Sequence, residues 1–175
     1  MIPSKFNLLV TTYRRAEHDA GAELFSLLIE LGDSSPKIEQ TGISGLLAVE
    51  TSIPADRVIN EVKKIVESEP WRIRYLLRLI PIECVVDTDL SIIKKAVEQM
   101  INRIGENESF RVTVEKRHTN LSSRDIIDAV ASLVHRPVNL ENPDWIILIE
   151  VVNGKTGLSI LKPHQILSVT SIKRG

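Results

Sequence analysis

The eight residues Trp145-Ile-Ile-Leu-Ile-Glu-Val-Val152 constrain the fold more than any other stretch of this chain. Seven of them are apolar, so the run has no polar face to turn to water. A segment this short and this apolar is a strand buried on both faces. Its neighbours alternate between helical and strand periods, which argues for an α/β layer with a partly parallel sheet. Over residues 89–104, Leu90, Ile93, Val97, Met100 and Ile104 recur at helical spacing, and Thr88 is the expected N-cap. Phe110–Arg117 reads as a strand with Phe110, Val112 and Val114 on one face. Residues 122–135 read as a helix, opened by Ser122-Ser-Arg-Asp125, a capping box with Asp in the usual place of Glu. Asn153-Gly154 begins a turn, and residues 158–161 form a closing strand.

The first part of the chain has a different order. Residues 5–12 are rich in apolar and β-branched side chains and predict a strand. Ala20, Leu24, Leu27, Leu28 and Leu31 mark the inner face of a helix over Glu17–Leu31, stopped by Gly32. Residues 37–41 and 46–51 flank Gly42-Ile-Ser-Gly45. That tetrapeptide matches the Gly-x-x-Gly spacing of an RNA clamp set between helices, but strands flank it here, and a hairpin turn is the preferred reading. Pro54 opens a helix running to about Ser68, and residues 71–82 predict a last strand. The order β-α-β-β-α-β is ferredoxin-like. The expected fold class is therefore α/β (α+β), with a ferredoxin-like domain over residues 1–74 and a second domain over residues 75–175.

Several function classes lack their signatures. No glycine-rich dinucleotide fingerprint or phosphate loop occurs. His18, His118, His135 and His164 are scattered without metal-ligand spacing, and the single cysteine, Cys84, reads as a small core residue. No catalytic residue, metal or cofactor is expected. No apolar run approaches the roughly 20 residues needed to span a bilayer. The N-terminal apolar run has no small-residue cleavage site, and its charges follow it. With one cysteine and no disulfide, the expectation is a cytoplasmic protein without a membrane partner.

Charge gives a positive lead. Net charge is −1, but residues 1–70 carry 7 basic and 11 acidic side chains while residues 71–175 carry 15 and 12. The second half is thus +3, which suits a polyanion partner. Within it, Arg72, Arg74 and Arg78 fall on one face of the expected strand over 71–82. Two readings stand: a solvated or ion-paired face, or a stripe whose planar guanidinium forks chelate phosphate. Arg111 points away from the apolar face of its strand. Lys116, Arg117 and His118 cluster at the strand end, ahead of a helix N-terminus that carries Arg124 and favours anions. Arg136, Lys162, Lys173 and Arg174 follow.

Arg74-Tyr-Leu-Leu-Arg-Leu-Ile-Pro-Ile-Glu83, then Phe110-Arg-Val-Thr-Val-Glu-Lys-Arg-His118, Val138-Asn-Leu-Glu-Asn-Pro-Asp-Trp145 and Ile149-Glu-Val-Val-Asn-Gly-Lys-Thr-Gly-Leu-Ser-Ile-Leu161 occur in an order that resembles a THUMP domain. The likeness spans roughly residues 70–165 and is nearest to the stand-alone THUMP proteins that assist tRNA cytidine acetylation. It implies a ferredoxin-like and THUMP pair that holds the acceptor stem and 3′ end of tRNA. It also implies a separate tRNA-modifying enzyme as partner, an acetyltransferase first, since the chain to Gly175 is read as having no catalytic domain. The RNA-binding candidates are Arg74, Arg78, Arg111, Lys116, Arg117, His118, Arg124, Arg136 and Lys162.

Overall fold

The computed structural model describes residues 3–175; Met1 and Ile2, the start of the N-terminal apolar run, lie outside them. In chain order the first elements are β1 (Leu8–Thr11), α1 (Glu17–Leu31), β2 (Lys37–Gln40), β3 (Leu46–Glu50), α2 (Ala55–Ser68) and β4 (Arg78–Pro81). Then come β5 (Cys84–Asp87), α3 (Leu90–Glu98), β6 (Phe110–Arg117), α4 (Ser123–Ala131), β7 (Trp145–Val152) and β8 (Lys155–Leu161). The chain closes with β9 (Leu167–Ser168) and α5 (Val169–Arg174). No helix among the described residues is long and apolar enough to cross a membrane.

These elements form two compact units. The first holds the described residues up to Ile82 together with His164–Gly175. Its sheet has the order β2-β3-β1-β4-β9, antiparallel throughout. The first four strands reproduce the ferredoxin-like arrangement, and β9 adds a fifth at the open side of β4. Helices α1 and α2 share a core with the strands, in which Leu24, Leu28, Val58 and Val62 meet Leu8, Val10, Val49 and Leu79. Helix α1 ends as the sequence predicts. Gly32 turns left-handed at φ 111°, and the amide of Asp33 reaches back to the Leu28 carbonyl at 3.0 Å. The Gly42-Ile-Ser-Gly45 segment is the hairpin loop between β2 and β3, with φ of 83° and 74° at its two glycines. A side chain on Gly45 would meet the Thr12 carbonyl oxygen at 2.7 Å, so that turn needs glycine.

The strand expected over residues 71–82 is shorter. Residues Pro70–Arg72 form a single 3-10 turn, and only Arg78–Pro81 is strand. The cause is a side chain. The Glu23 carboxylate on α1 accepts the amides of Arg74, Tyr75 and Leu76 at 2.7, 3.0 and 3.0 Å, taking donors that a strand would offer to a neighbour. Arg72, Arg74 and Arg78 therefore do not form one stripe. Packing also divides the chain at Ile82, against the break expected between residues 74 and 75, because Arg78–Pro81 pairs with β1.

The second unit, Glu83–Pro163, has the sheet order β5-β8-β7-β6. Strands β6 and β7 run parallel, joined through α4, and the remaining pairs are antiparallel. Strand β7 is buried along seven of its eight residues, as its composition requires. Ile93 and Val97 of α3 and Ile126 and Val130 of α4 pack on Phe110, Ile147, Ile149 and Leu158. Half-buried Cys84 packs on the same core, and desolvation pushes its thiol above the ordinary range. Two helices are shorter than their apolar patterns. Helix α3 stops at Glu98, followed by a 3-10 turn at Ile101–Arg103, and α4 stops at Ala131. Asp89, not Thr88, caps α3 by accepting the Ile92 amide at 3.0 Å; the Thr88 hydroxyl donates instead to the Asn153 carbonyl at 3.1 Å. Ser122 caps α4 as expected, on the Asp125 amide at 3.3 Å.

Leu167 and Val169, 5% and 1% exposed, belong to the core of the first unit. Leu167→Ala should cost that unit about 2–4 kcal/mol. The two tryptophans, Trp71 and Trp145, report on separate units. In urea titrations the loss should appear in a Trp145→Phe background, where Trp71 reports. A loss seen equally through Trp145 in a Trp71→Phe background would mean that the tail stabilises both units.

Candidate nucleic-acid interface

Assigning charges to the two units changes their meaning. The unit built on β1–β4 carries 12 basic and 11 acidic residues, and the unit Glu83–Pro163 carries 10 and 12. The +3 of residues 71–175 is therefore no property of the second unit, because Arg72, Arg74, Arg78, Lys173 and Arg174 belong to the first.

In the first unit, β1 and β4 bring two chain segments to one end of the sheet. Thr11 lies opposite Arg78 in the antiparallel register, so residues 12–16 and 73–77 are neighbours. The Thr12 hydroxyl donates to the Tyr75 carbonyl at 2.7 Å and ties them together. Arg14, Arg15, Arg74 and Arg78 are all exposed there, beside Tyr13 at 52% exposure. None of the four guanidinium groups has an ion pair or hydrogen bond among the described residues; Arg74 lies 5.6 Å from the centroid of the Tyr75 ring. Arg15 is left-handed, at φ 69°, which costs a non-glycine residue about 1–2 kcal/mol. The Ala16 amide closes that turn on the Tyr13 carbonyl at 3.0 Å. Arg72 differs, being paired with Glu69 at 2.8 Å. Sequence reasoning missed Arg14 and Arg15, which count there only as charges after an apolar run. The available signal was their position in a strand-to-helix loop.

In the second unit the candidate cations fall at the two ends of β6, and most are engaged. At its start, half-buried Arg111 faces away from Phe110 and Val112, as expected, and donates to the Leu140 carbonyl at 2.8 Å and to Thr113 at 3.3 Å. Arg136 donates to the carbonyls of Ile104 at 3.2 Å and His135 at 2.8 Å. Lys162 lies 4.1 Å from the Trp145 ring centroid and 3.4 Å from Glu108. The Trp145 indole, the Gly105 amide and Lys162 together hold the Glu108 carboxyl below the ordinary range. At the far end, Lys116 donates to the Leu121 carbonyl at 3.2 Å, and exposed His118 meets Asn153 at 3.1 Å. Arg124 is fully in solvent, with only a 3.5 Å pair to Asp128. Arg117 is different: it donates to Glu150 at 3.0 Å, and that carboxylate side chain is 1% exposed. Its first task is to neutralise a buried charge.

The arrangement offers guanidinium forks, an ammonium and aromatic rings, groups that hold phosphates and stack on bases. No group of three or more His, Cys, Asp or Glu among the described residues could hold a metal.

Comparison with known proteins agrees with this architecture. Residues 87–161 match the THUMP domain family model. An uncharacterized protein of Methanocaldococcus jannaschii is 30% identical over 122 residues, which cover 67% of this chain and 34% of that protein, so the chain spans about a third of its relative. Among solved structures, PH1313 from Pyrococcus horikoshii superposes with a TM-score of 0.68 at 20% identity, over 90% of this chain and 55% of that one. A 4-thiouridine synthetase, solved as a complex with RNA and bound ATP, gives 0.57 at 16% identity, over 94% and 42%. At these identities the structural likenesses concern the fold.

The hydrogen-bond partners separate structural from free cations. Arg117→Ala should lower stability by about 3 kcal/mol, because it removes the guanidinium that pairs with the buried Glu150 carboxylate at 3.0 Å. Arg78→Ala should stay within about 0.5 kcal/mol. Glu23→Ala should cost about 2–3 kcal/mol by releasing three amides from a charged acceptor. Urea denaturation of the three variants checks the order, and a destabilised Arg78→Ala would contradict it.

Proposed function

With residues 87–161 a THUMP domain, we propose that this chain binds tRNA through its acceptor stem and 3′ end. In this reading it presents the tRNA to a separate modifying enzyme, a tRNA cytidine N4-acetyltransferase in the first instance. The observation that carries the proposal is the group Arg14, Arg15, Arg74 and Arg78, four exposed guanidinium groups at one end of a sheet, without ion pairs among the described residues. Unpaired cations gathered beside an exposed tyrosine are the equipment for phosphate contact with base stacking. Arg111, Lys116, His118, Arg124, Arg136 and Lys162 are the proposed contacts of the THUMP unit, where RNA is read by shape and backbone. The RNA present with the 4-thiouridine synthetase that shares this fold supports the same ligand. The acetyltransferase rests on the sequence resemblance alone, and another tRNA-modifying enzyme is the second reading. No residue is assigned a catalytic role.

Filter binding of tRNA to the purified chain should weaken as salt rises. Replacing Arg14, Arg15 and Arg78 by alanine should flatten the plot of log affinity against log salt by about one unit for each phosphate that an arginine no longer holds. Each single replacement should lower affinity roughly tenfold, with Tm unchanged. A tRNA stripped of its single-stranded 3′ end should bind less well. Salt-independent binding, or full binding by the triple variant, would reject the proposal. Deleting the gene and measuring the nucleosides of bulk tRNA identifies the modification. Loss of N4-acetylcytidine supports the first partner, and loss of a different nucleoside supports the second.

A further inference from the structure

Helix α1 is apolar on two faces. One face, with Ala20, Leu24, Leu27 and Leu28, lies in the core. On the opposite side His18, Ala22, Phe25 and Ile29 follow one another at spacings of four, three and four, a second stripe along the helix. It is open: Phe25 is 45% and Ile29 43% exposed. Between this stripe and edge strand β2 runs a groove of about 470 Å3, lined by Gly21, Ala22, Phe25, Ser26, Ile38 and Gln40 among others. Single exposed apolar residues are ordinary, whereas a helix-periodic row beside a groove marks an interaction site.

The charge around the groove selects the occupant. Glu17 lines the groove, exposed Asp19 and Glu30 stand along the other flank of the apolar stripe, and the helix has no lysine or arginine. Phosphate is repelled from such a face, so it is not an RNA surface. A second copy is disfavoured too. Two α1 helices crossing antiparallel at Phe25 would set Asp19 of one against Glu30 of the other. Strand addition to β2 is opposed by its four-residue length and by exposed Lys37 and Glu39, the charges that blunt sheet edges. A helix remains, because helical ridges match a row spaced by three and four. We propose that the outer face of α1, with its groove to β2, docks an amphipathic helix of a partner protein. The helix presents an apolar row flanked by lysine or arginine. The assignment does not depend on the tRNA reading.

A synthetic helical peptide with leucines at positions i, i+3 and i+7 and flanking lysines serves as the probe, titrated calorimetrically into the full chain. A charge-reversed peptide with flanking glutamates is the control. The lysine peptide should bind, and the glutamate peptide at least roughly tenfold more weakly. Phe25→Asp and Ile29→Asp should each weaken the lysine peptide roughly tenfold or more. Both variants should stay folded, because neither side chain belongs to the core, and a thermal melt checks this. tRNA binding should be unchanged, which separates this site from the arginine site. Equal binding of the two peptides, or unaltered binding by both variants, overturns the proposal. A concentration-dependent dimer in sedimentation that Phe25→Asp dissolves would overturn it in favour of self-association. Loss of tRNA affinity in Phe25→Asp would overturn it in favour of an RNA face.

Discussion

The Glu23 carboxylate organises the first unit more than any single apolar contact. From the middle of α1 it accepts three successive amides, those of Arg74, Tyr75 and Leu76. Such bonds to an ionised acceptor are stronger than neutral ones. They hold residues 74–76 off the sheet, and the chain rejoins β1 at Leu77, whose amide donates to the Thr11 carbonyl at 2.9 Å. The same clamp sets Tyr75 where its carbonyl meets the Thr12 hydroxyl, which gathers Arg74 and Arg78 beside Arg14 and Arg15. A side chain of the core layer thus decides where the surface arginines stand. Its position, on the flank of α1 between the core stripe and the outer stripe, lets one helix serve both.

Strand β4 has a related role. It is paired on one side with β1 and on the other with β9, so residues from the end of the chain complete a sheet begun near its start. Helix α5 follows at once and packs on α2, with Lys173 donating to the Ile73 carbonyl at 2.5 Å. The second unit is inserted between β4 and β9 in the sequence. This is why a division of the chain into two consecutive halves misassigned the charge. The positive residues on either side of the insertion belong together, and the inserted unit is itself slightly acidic.

Much of the fold was legible because it is written in local periodicity. Glu17–Leu31, Phe110–Arg117 and Trp145–Val152 came out at their observed bounds, and the ferredoxin-like order followed from the elements read over residues 5–82. The failures share one cause, a tertiary partner invisible in a local window. The apolar pattern of residues 71–77 suits a strand, but Glu23, about fifty positions away, takes three of its amides. The pattern of residues 99–104 suits a helix, but the chain tightens into a 3-10 turn whose Arg103 pairs with Glu83 at 2.6 Å. The two-residue strand β9 is too short to leave a period. Among the candidate cations, residue type was legible and engagement was not. No spacing rule reveals that Arg117 faces a buried Glu150 while Arg78 has no such partner among the described residues.

That difference in engagement has a physical consequence for any polyanion. A guanidinium carries five donors in a rigid fork. Arg111 and Arg136 each give two of theirs to neighbouring groups and keep the rest. Their side chains are already ordered, so a phosphate that meets them takes little further rotamer entropy, where a long free side chain carries about 2 kcal/mol of it. Arg14, Arg15 and Arg78 lack that preorganisation, but their charge is unopposed and acts on a ligand from farther away. Under the tRNA-binding proposal the two sets divide the task. The free arginines of the ferredoxin-like unit supply attraction and salt dependence, and the anchored ones of the THUMP unit supply geometry. Neither set needs a net positive chain to act, which reconciles a net charge of −1 with a polyanionic partner.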